Sequence, residues 1–350
     1  MPNRLIVLRS FMAGATSLAV VTAAGLVSGV AHADDITIGV AMKTHTELRW
    51  KFDEAIMRDE AAKLGVKLNF QWADNSPTTQ ASQFENLLSQ KVNAIVIIPI
   101  DSAAAGRLID EAHEQKVPVV SYDVPVSSAK LDFLVARDNA KVGVLQANAA
   151  LKFAPKGNYV IIKGDPGNSV AAVFGEGAEN ILKPDKDIAL VYDQFMANWD
   201  QKGAEAVAEN QLSAHNDEIA AFVTSNDGMG QGVAQAVMGR KLGGKIFISG
   251  LDADTASLGL IGQGVQTMTV WTDLDDEDRS AIRAATALAR GQKPDLAVVT
   301  ADDGKGPYPL HPIKVLEINK DNLCDFITKI SPKGWVSVKE VFPDNPDACK

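Results

Sequence analysis

Three short runs decide how this chain folds. Ala220-Ala221-Phe222-Val223 leads into Thr224-Ser225-Asn226-Asp227-Gly228. Lys245-Ile246-Phe247-Ile248 leads into Ser249-Gly250-Leu251-Asp252-Ala253-Asp254. Gln266-Thr267-Met268-Thr269-Val270 leads into Trp271-Thr272-Asp273. Each is a strand-like apolar run that ends in polar or aromatic residues, and the first two are followed at once by helical patterns. In parallel α/β sheets the loops after the strands converge on one crevice, so ligand-binding groups collect at strand carboxyl ends. One segment therefore delivers an amide, a carboxylate and an indole to one place, a mixture suited to a hydroxyl-rich, partly apolar ligand such as a sugar. The competing reading is local: Asn and Asp at strand ends cap the helices that follow.

The same grammar extends in both directions. Toward the amino terminus, Ile36–Ala41, Lys67–Phe70, Ala94–Pro99, Val117–Ser121 and Phe133–Ala136 read as strands, separated by helical stretches near 48–64 and around Phe84, Leu87 and Leu88, with a third around Leu108, Ile109 and Ala112. The continuous apolar run Ala94–Ile98 is expected for a strand buried on both faces. The middle of the chain adds a helix near 140–153, strands at Asn158–Ile162 and Ile188–Tyr192, and a helix near 200–212. After Asp273 a long helix is expected over 275–291, and from Leu296 on the composition is rich in Pro, Gly and Asp and reads as irregular. Strand–helix alternation in two halves predicts an α/β fold of two doubly wound lobes with parallel sheets. With no long linker between them, several crossings are expected, placed near 136–138, 270–272 and 298–300. That assigns 36–136 plus 272–298 to the first lobe, 137–271 plus 299–323 to the second, and 324–350 to a tail.

The chain has 350 residues, 46% hydrophobic and 22% charged, with a formal net charge of −10. This is ordinary globular composition with room for two domains. The acidic balance and the lack of a basic run argue against a nucleic-acid partner. Residues 1–33 read as a cleaved secretory signal peptide: Arg4 and Arg9, an apolar stretch from Phe11 to Val30, then Ala31-His32-Ala33 as a small-x-small site. A periplasmic location follows from that expectation. The two cysteines, Cys324 and Cys349, suggest one disulfide stapling the tail, with two free thiols as the alternative. The five histidines are scattered without metal-ligand spacing, so no metal and no cofactor is expected. Gly228-Met229-Gly230-Gln231-Gly232 lacks the G-x-G-x-x-G spacing of a dinucleotide turn and more simply lets backbones pack closely. Asp273–Asp278 has an aspartate where a calcium loop needs glycine; acids there favour a helix N-terminus. No nucleophile elbow is present. An enzyme is not expected.

Taken in order, Arg49-Trp50, Tyr122-Asp123, Asp138–Gly143, Ser225-Asn226-Asp227, Ser249–Asp254 and Gln266–Val270 resemble the D-xylose-binding family of periplasmic sugar-binding proteins of ABC importers, the ribose/galactose type of periplasmic binding protein class I. The resemblance covers about Ile36 to Asn322. It implies two lobes joined by a three-segment hinge that close over one monosaccharide, a pentose or hexose, and deliver it to an ABC permease. It also implies site residues: Arg49 and Trp50 after the first strand, Asp123 after the fourth, Asn226, Asp252, Trp199, and Trp271 in the third hinge segment. Aromatic faces would cover the ring's C–H faces while planar polar groups bond vicinal hydroxyls.

Departures from the family pattern bear on the ligand. Val124 stands where relatives carry arginine, no arginine occurs near Phe174-Gly175, and Thr272 stands where a lysine is usual. The pocket then has acceptors, Asp123, Asp252 and Glu176 or Asp273, in excess of cationic donors. A polyol or an amino sugar is therefore the alternative ligand in the same transport role. A ligand receptor for a membrane sensor and a secreted enzyme are the readings from other classes. The protein is expected to act as a monomer.

Overall fold

The computed structural model describes residues 36–47, 49–126, 131–302 and 307–350. The expected signal peptide lies outside the described residues. Among the described residues no helix is long and apolar enough to cross a membrane.

The chain alternates strands and helices from Thr37–Met42 (β1) through Arg49–Leu64 (α1), Lys67–Trp72 (β2), Pro77–Ser89 (α2), Ala94–Ile97 (β3), Ser102–Glu114 (α3), Val119–Tyr122 (β4) and Phe133–Arg137 (β5). It continues with Asn139–Phe153 (α4), Gly157–Lys163 (β6), Ser169–Leu182 (α5), Ile188–Phe195 (β7), Gln201–Ala214 (α6), Ile219–Thr224 (β8), Asp227–Gly239 (α7), Phe247–Ile248 (β9) and Thr255–Gly262 (α8). The last elements relevant to the site are Met268–Thr272 (β10), Leu274–Ala289 (α9), Val299–Asp302 (β11), Pro307–Ile313 (β12) and Val315–Asn319 (β13).

The first sheet has the order β11-β12-β5-β4-β3-β1-β2, and the second the order β7-β6-β8-β9. All pairs in the second sheet are parallel, as are those from β12 to β2 in the first. The apolar run in β3 reflects burial on both faces: Ala94 and Val96 belong to one core, Ile95 and Ile97 to the other. Helix starts follow from side-chain caps. Ser76, Asp101, Asp138, Asn168, Asp200 and Asn226 each accept a backbone N–H from the first turn of the next helix. Gly232 confirms the packing role of the glycine run in α7. A Cβ there would stand 2.1 Å from the Gln201 carbonyl oxygen of α6.

The region after Leu296 is not irregular. β11 pairs antiparallel with β12, and β12 pairs with β5, so 299–302 and 307–313 extend the first sheet, whereas the sequence placed them in the second lobe. The prolines that suggested irregular chain are accommodated by a handover along β12. Residues 307–310 pair with β11 and 310–313 with β5, so each half keeps one unpaired edge, where a missing N–H is tolerated. The third crossing therefore falls between β12 and β13, not near 298–300. β13 then pairs antiparallel with β10, tying two crossing segments into one ribbon.

Cys324 and Cys349 are bonded, and the segment between them is structured. Leu323, Phe326, Ile327, Trp335, Val336 and Val341 form a satellite core with Leu258, Ile261 and Trp271.

Candidate functional site

The carboxyl ends of both sheets face one small, polar-lined cleft. Six of the residues read from the sequence meet there: Arg49, Trp50, Asp123, Trp199, Asn226 and Asp252. Trp271 does not. Strand alternation sends Val270 into the main core and Trp271 to the opposite face, where its ring packs edge-on against Phe326 at 5.2 Å and Trp335 at 4.9 Å. Of the other acceptors considered, Asp273 caps α9 by accepting from Asp276 N (3.3 Å), and Glu176 is exposed.

Cationic donors are present, from positions the family pattern did not indicate. Lys43, just past β1, and Arg137, at the end of β5, both line the cleft with Glu47 and Phe174. Three cations thus face three carboxylates, Glu47, Asp123 and Asp252. The expected excess of acceptors disappears, and with it the specific argument for an ammonium ligand. Each cation lies over an aromatic ring: Arg49 over Trp50 (4.4 Å), Lys43 over Trp199 (5.2 Å) and Arg137 over Phe174 (5.4 Å). Such stacking desolvates the ring faces and fixes the cations at once.

Arg49 is the hub of a buried network. It donates to Asp123 (3.2 Å), Asp53 (3.3 Å), Glu277 (3.2 Å) and the Tyr122 hydroxyl (3.3 Å), and lies 3.6 Å from Asp252 across the cleft. Tyr122 in turn donates to Asp278 (2.6 Å). Glu277 and Asp278, in the acidic opening of α9, therefore do more than favour a helix terminus. Burial raises Asp123, but Arg137 and Arg49 outweigh it and hold that carboxyl down at about 2. Arg137 also bonds Asp123 directly. Asp53 and Glu277 are as near to Arg49 as Asp123 is but do not bond Arg137, and there burial wins. It pushes Asp53 up to about 6 and Glu277 up to about 8, despite Arg49. Asp278 is driven well above the carboxylate range by burial and by neighbouring Asp53. Asp252 is also raised by burial, against the pull of Arg49 and Arg137.

The opposite wall is fixed by backbone geometry. Asp252 (φ 102°) and Ala253 (φ 53°) occupy the left-handed region, as do Asn198 (φ 57°) and Trp199 (φ 54°). Non-glycine residues persist there only when their surroundings over-determine them. Here the Asp252 N–H donates to Val270 O (2.8 Å), and the Asp254 N–H to Asp227 Oδ2 (2.7 Å). Trp199 lies flat on Gly164, where a Cβ would meet the ring at 2.2 Å. Asn226 caps α7, its Oδ1 accepting from Met229 N (3.0 Å), and also lines the cleft. The two walls also touch beside the site. Ser102 N donates to Gly167 O (3.1 Å), and the Ser102 and Ser169 hydroxyls are 3.0 Å apart.

Two buried donors, Arg137 Nε and Trp199 Nε1, have no hydrogen-bond partner among the described residues. Unmatched buried donors are costly.

Comparison with known proteins agrees with this geometry. Residues 38–293 match the model of the periplasmic binding protein domain. The chain is 36% identical over 307 residues to the D-xylose-binding periplasmic protein of Escherichia coli (strain K12), covering 87% of this chain and 93% of that one. It is 32% identical over 315 residues to the D-xylose-binding periplasmic protein of Haemophilus influenzae, covering 89% and 95%. A carbohydrate transporter solute-binding protein from Agrobacterium radiobacter, solved with D-arabinose, superposes with a TM-score of 0.75 at 26% identity, covering 84% and 97%.

Proposed function

Because the chain belongs to the periplasmic binding protein family, we propose that it captures a monosaccharide, a pentose or hexose, in the cleft between its sheets and delivers it to an ABC permease. The observation that carries this reading is the cleft's makeup: balanced cations and carboxylates, tryptophans from both walls, and two unpartnered buried donors. Neutral sugars bring hydroxyls that donate to Asp123 and Asp252 and accept from Arg137 and Trp199. The C–H faces of the ring would lie against Trp50, Trp199 and Phe174, excluding water and adding dispersion. The role is binding, with no chemical step assigned to any residue.

Closure is the mechanism. Arg49, Asp123 and Arg137 come from the first sheet, and Asn226, Asp252 and Trp199 from the loops of the second. Only the closed arrangement gives a ligand contacts to both, so ligand shifts the population toward it. Flexion would occur at the three crossings, 137–138, 272–274 and 313–315. The closed surface is what a permease would read. Export to the periplasm by a cleaved leader and action as a monomer complete the proposal.

A thermal-shift screen of ligand-stripped protein against D-xylose, D-glucose, D-arabinose, xylitol and glucosamine tests it. Ligand at 100-fold above Kd adds ~2.7 kcal/mol, a rise of several degrees. The expected result is a shift with at least one aldose, lowered at least 100-fold in apparent affinity by Asp252→Ala, with the sugar recovered unchanged. Stabilisation by glucosamine or xylitol alone would replace the neutral aldose in the proposal. No shift with any of the five would overturn it.

A further inference from the structure

The tail beyond the matched domain reaches the ligand-facing loop. Trp335, 2% exposed, sits in the segment closed by the Cys324–Cys349 bond. Its indole Nε1 donates a buried 2.8 Å hydrogen bond to the Ala253 carbonyl oxygen. The Thr255 hydroxyl donates back to the Trp335 carbonyl (3.3 Å), so both ends of the 253–255 turn are fastened to the same residue. The indole is itself held between Phe52 of α1 (4.8 Å) and Trp271 of β10 (4.9 Å). Ala253 follows Asp252, and both are in the left-handed region. Such a pair needs external fixation, and a rotation of the 252–253 backbone would swing the Asp252 carboxylate out of the cleft.

We propose that Trp335 is a positioning residue for ligand recognition: through the Ala253 carbonyl it fixes the turn that points Asp252 into the cleft, making the disulfide-closed tail part of the binding apparatus without touching the ligand. The inference rests on the cleft being the sugar site, which Asp252→Ala tests on its own.

The experiment is a double-mutant cycle on the full, oxidised protein with D-xylose and D-glucose as probes. Trp335→Phe keeps an aromatic ring against Phe52 and Trp271 while removing the N–H together with the pyrrole half of the indole. Affinities come from calorimetry for tight variants and from millimolar NMR titration for those lacking Asp252. The expected result is at least a tenfold loss of affinity for Trp335→Phe, shrinking to less than twofold when made in Asp252→Ala. Coupling of that kind is not produced by general loosening, which would weaken both backgrounds by the same factor. An equal loss in both backgrounds, or no loss in the first, overturns the proposal. Where Trp335→Phe does not fold, benzothienylalanine at 335 preserves the bicyclic shape with sulfur in place of the N–H, and the same outcomes apply. A wild type that binds neither probe removes the site reading beneath the inference.

Discussion

On the wall built from the first sheet, Arg49, Arg137 and Asp123 are held mainly by charge, with Asp53, Glu277, Asp278 and Tyr122 packed behind them, although Asp123 too is left-handed (φ 65°). On the facing wall, Asn226, Asp252 and Trp199 are held by backbone conformation, through a helix cap, two pairs of left-handed residues and hydrogen bonds from neighbouring loops. The first wall is sensitive to the loss of one ion, while both walls hold carboxyls that burial raises, Asp53 and Glu277 in one and Asp252 and Asp254 in the other. The second is sensitive to changes in chain geometry, even distant ones. The two halves differ in what fixes them but meet through Arg49, which lies 3.6 Å from Asp252.

The largest test of that contrast is Arg49→Met. It removes the one guanidinium shared by Asp53, Asp123 and Glu277 and leaves carboxylates buried without it. Breaking a buried ion pair from one side costs ~3–5 kcal/mol. Chemical denaturation should show a loss of that order, with ligand binding falling at least 100-fold. A variant as stable as wild type would mean charge does not organise this wall.

Next in size is the pH dependence of stability. Glu277 rises from its ordinary 4.5 to about 8 because burial, aided by Asp123, outweighs Arg49 and Arg137. A carboxyl raised on folding favours the folded state fully below its unfolded value and loses that contribution as pH rises through its folded value. For Glu277 the window is therefore about 4.5 to 8. Asp123 has the opposite sign: held at about 2, it contributes above its ordinary 3.8 and loses that as pH falls toward 2. Between pH 5 and 8 the wild type should lose stability by at most ~1.4 kcal/mol per pH unit for each group in its window. Glu277→Gln should flatten that slope, measured by denaturant midpoints across the range. An unchanged slope would remove Glu277 from the account.

The smallest effect is on the second wall. Asn226→Ser keeps an N-cap of equal quality and adds no charge at this buried position, so stability should fall by no more than about 1 kcal/mol. The amide donor is lost, so affinity should drop about tenfold, ~1.4 kcal/mol. Parallel losses in stability and affinity would show that capping is its main work after all.

Six of the seven residues read from the sequence line the cleft because strand carboxyl ends announce themselves as apolar runs that turn polar. Arg137 obeys the same rule, but the adjacent Asp138-Asn139 is the more conspicuous polar pair, and Asp138 is the helix cap. Lys43 likewise follows β1 directly. Trp271 was misplaced because position at a strand end does not specify a face, whereas its parity with Val270 does. The charge network behind Arg49 was not legible at all. Asp53, Tyr122, Glu277 and Asp278 come from three segments far apart in the chain, and nothing local distinguishes a buried acid near a helix start from an exposed one. β12 was hidden by its prolines, whose tolerance depends on which edge of the strand is unpaired.

The late return of β11 and β12 to the first sheet has a kinetic meaning. That sheet begins at Thr37 and is completed at Ile313, enclosing the whole second sheet between its parts. Pairs so distant in sequence are slow to form, because a long loop must close before the contact rewards it. A chain emerging from its amino end can thus assemble β1 to β5 early but must hold an open edge on β5 until β12 arrives. Exposed edges of this kind invite pairing with other chains. The protein's most aggregation-prone moment therefore falls between the synthesis of the two lobes and the docking of one short, proline-bearing strand, and substitutions in β12 would register first as lost yield.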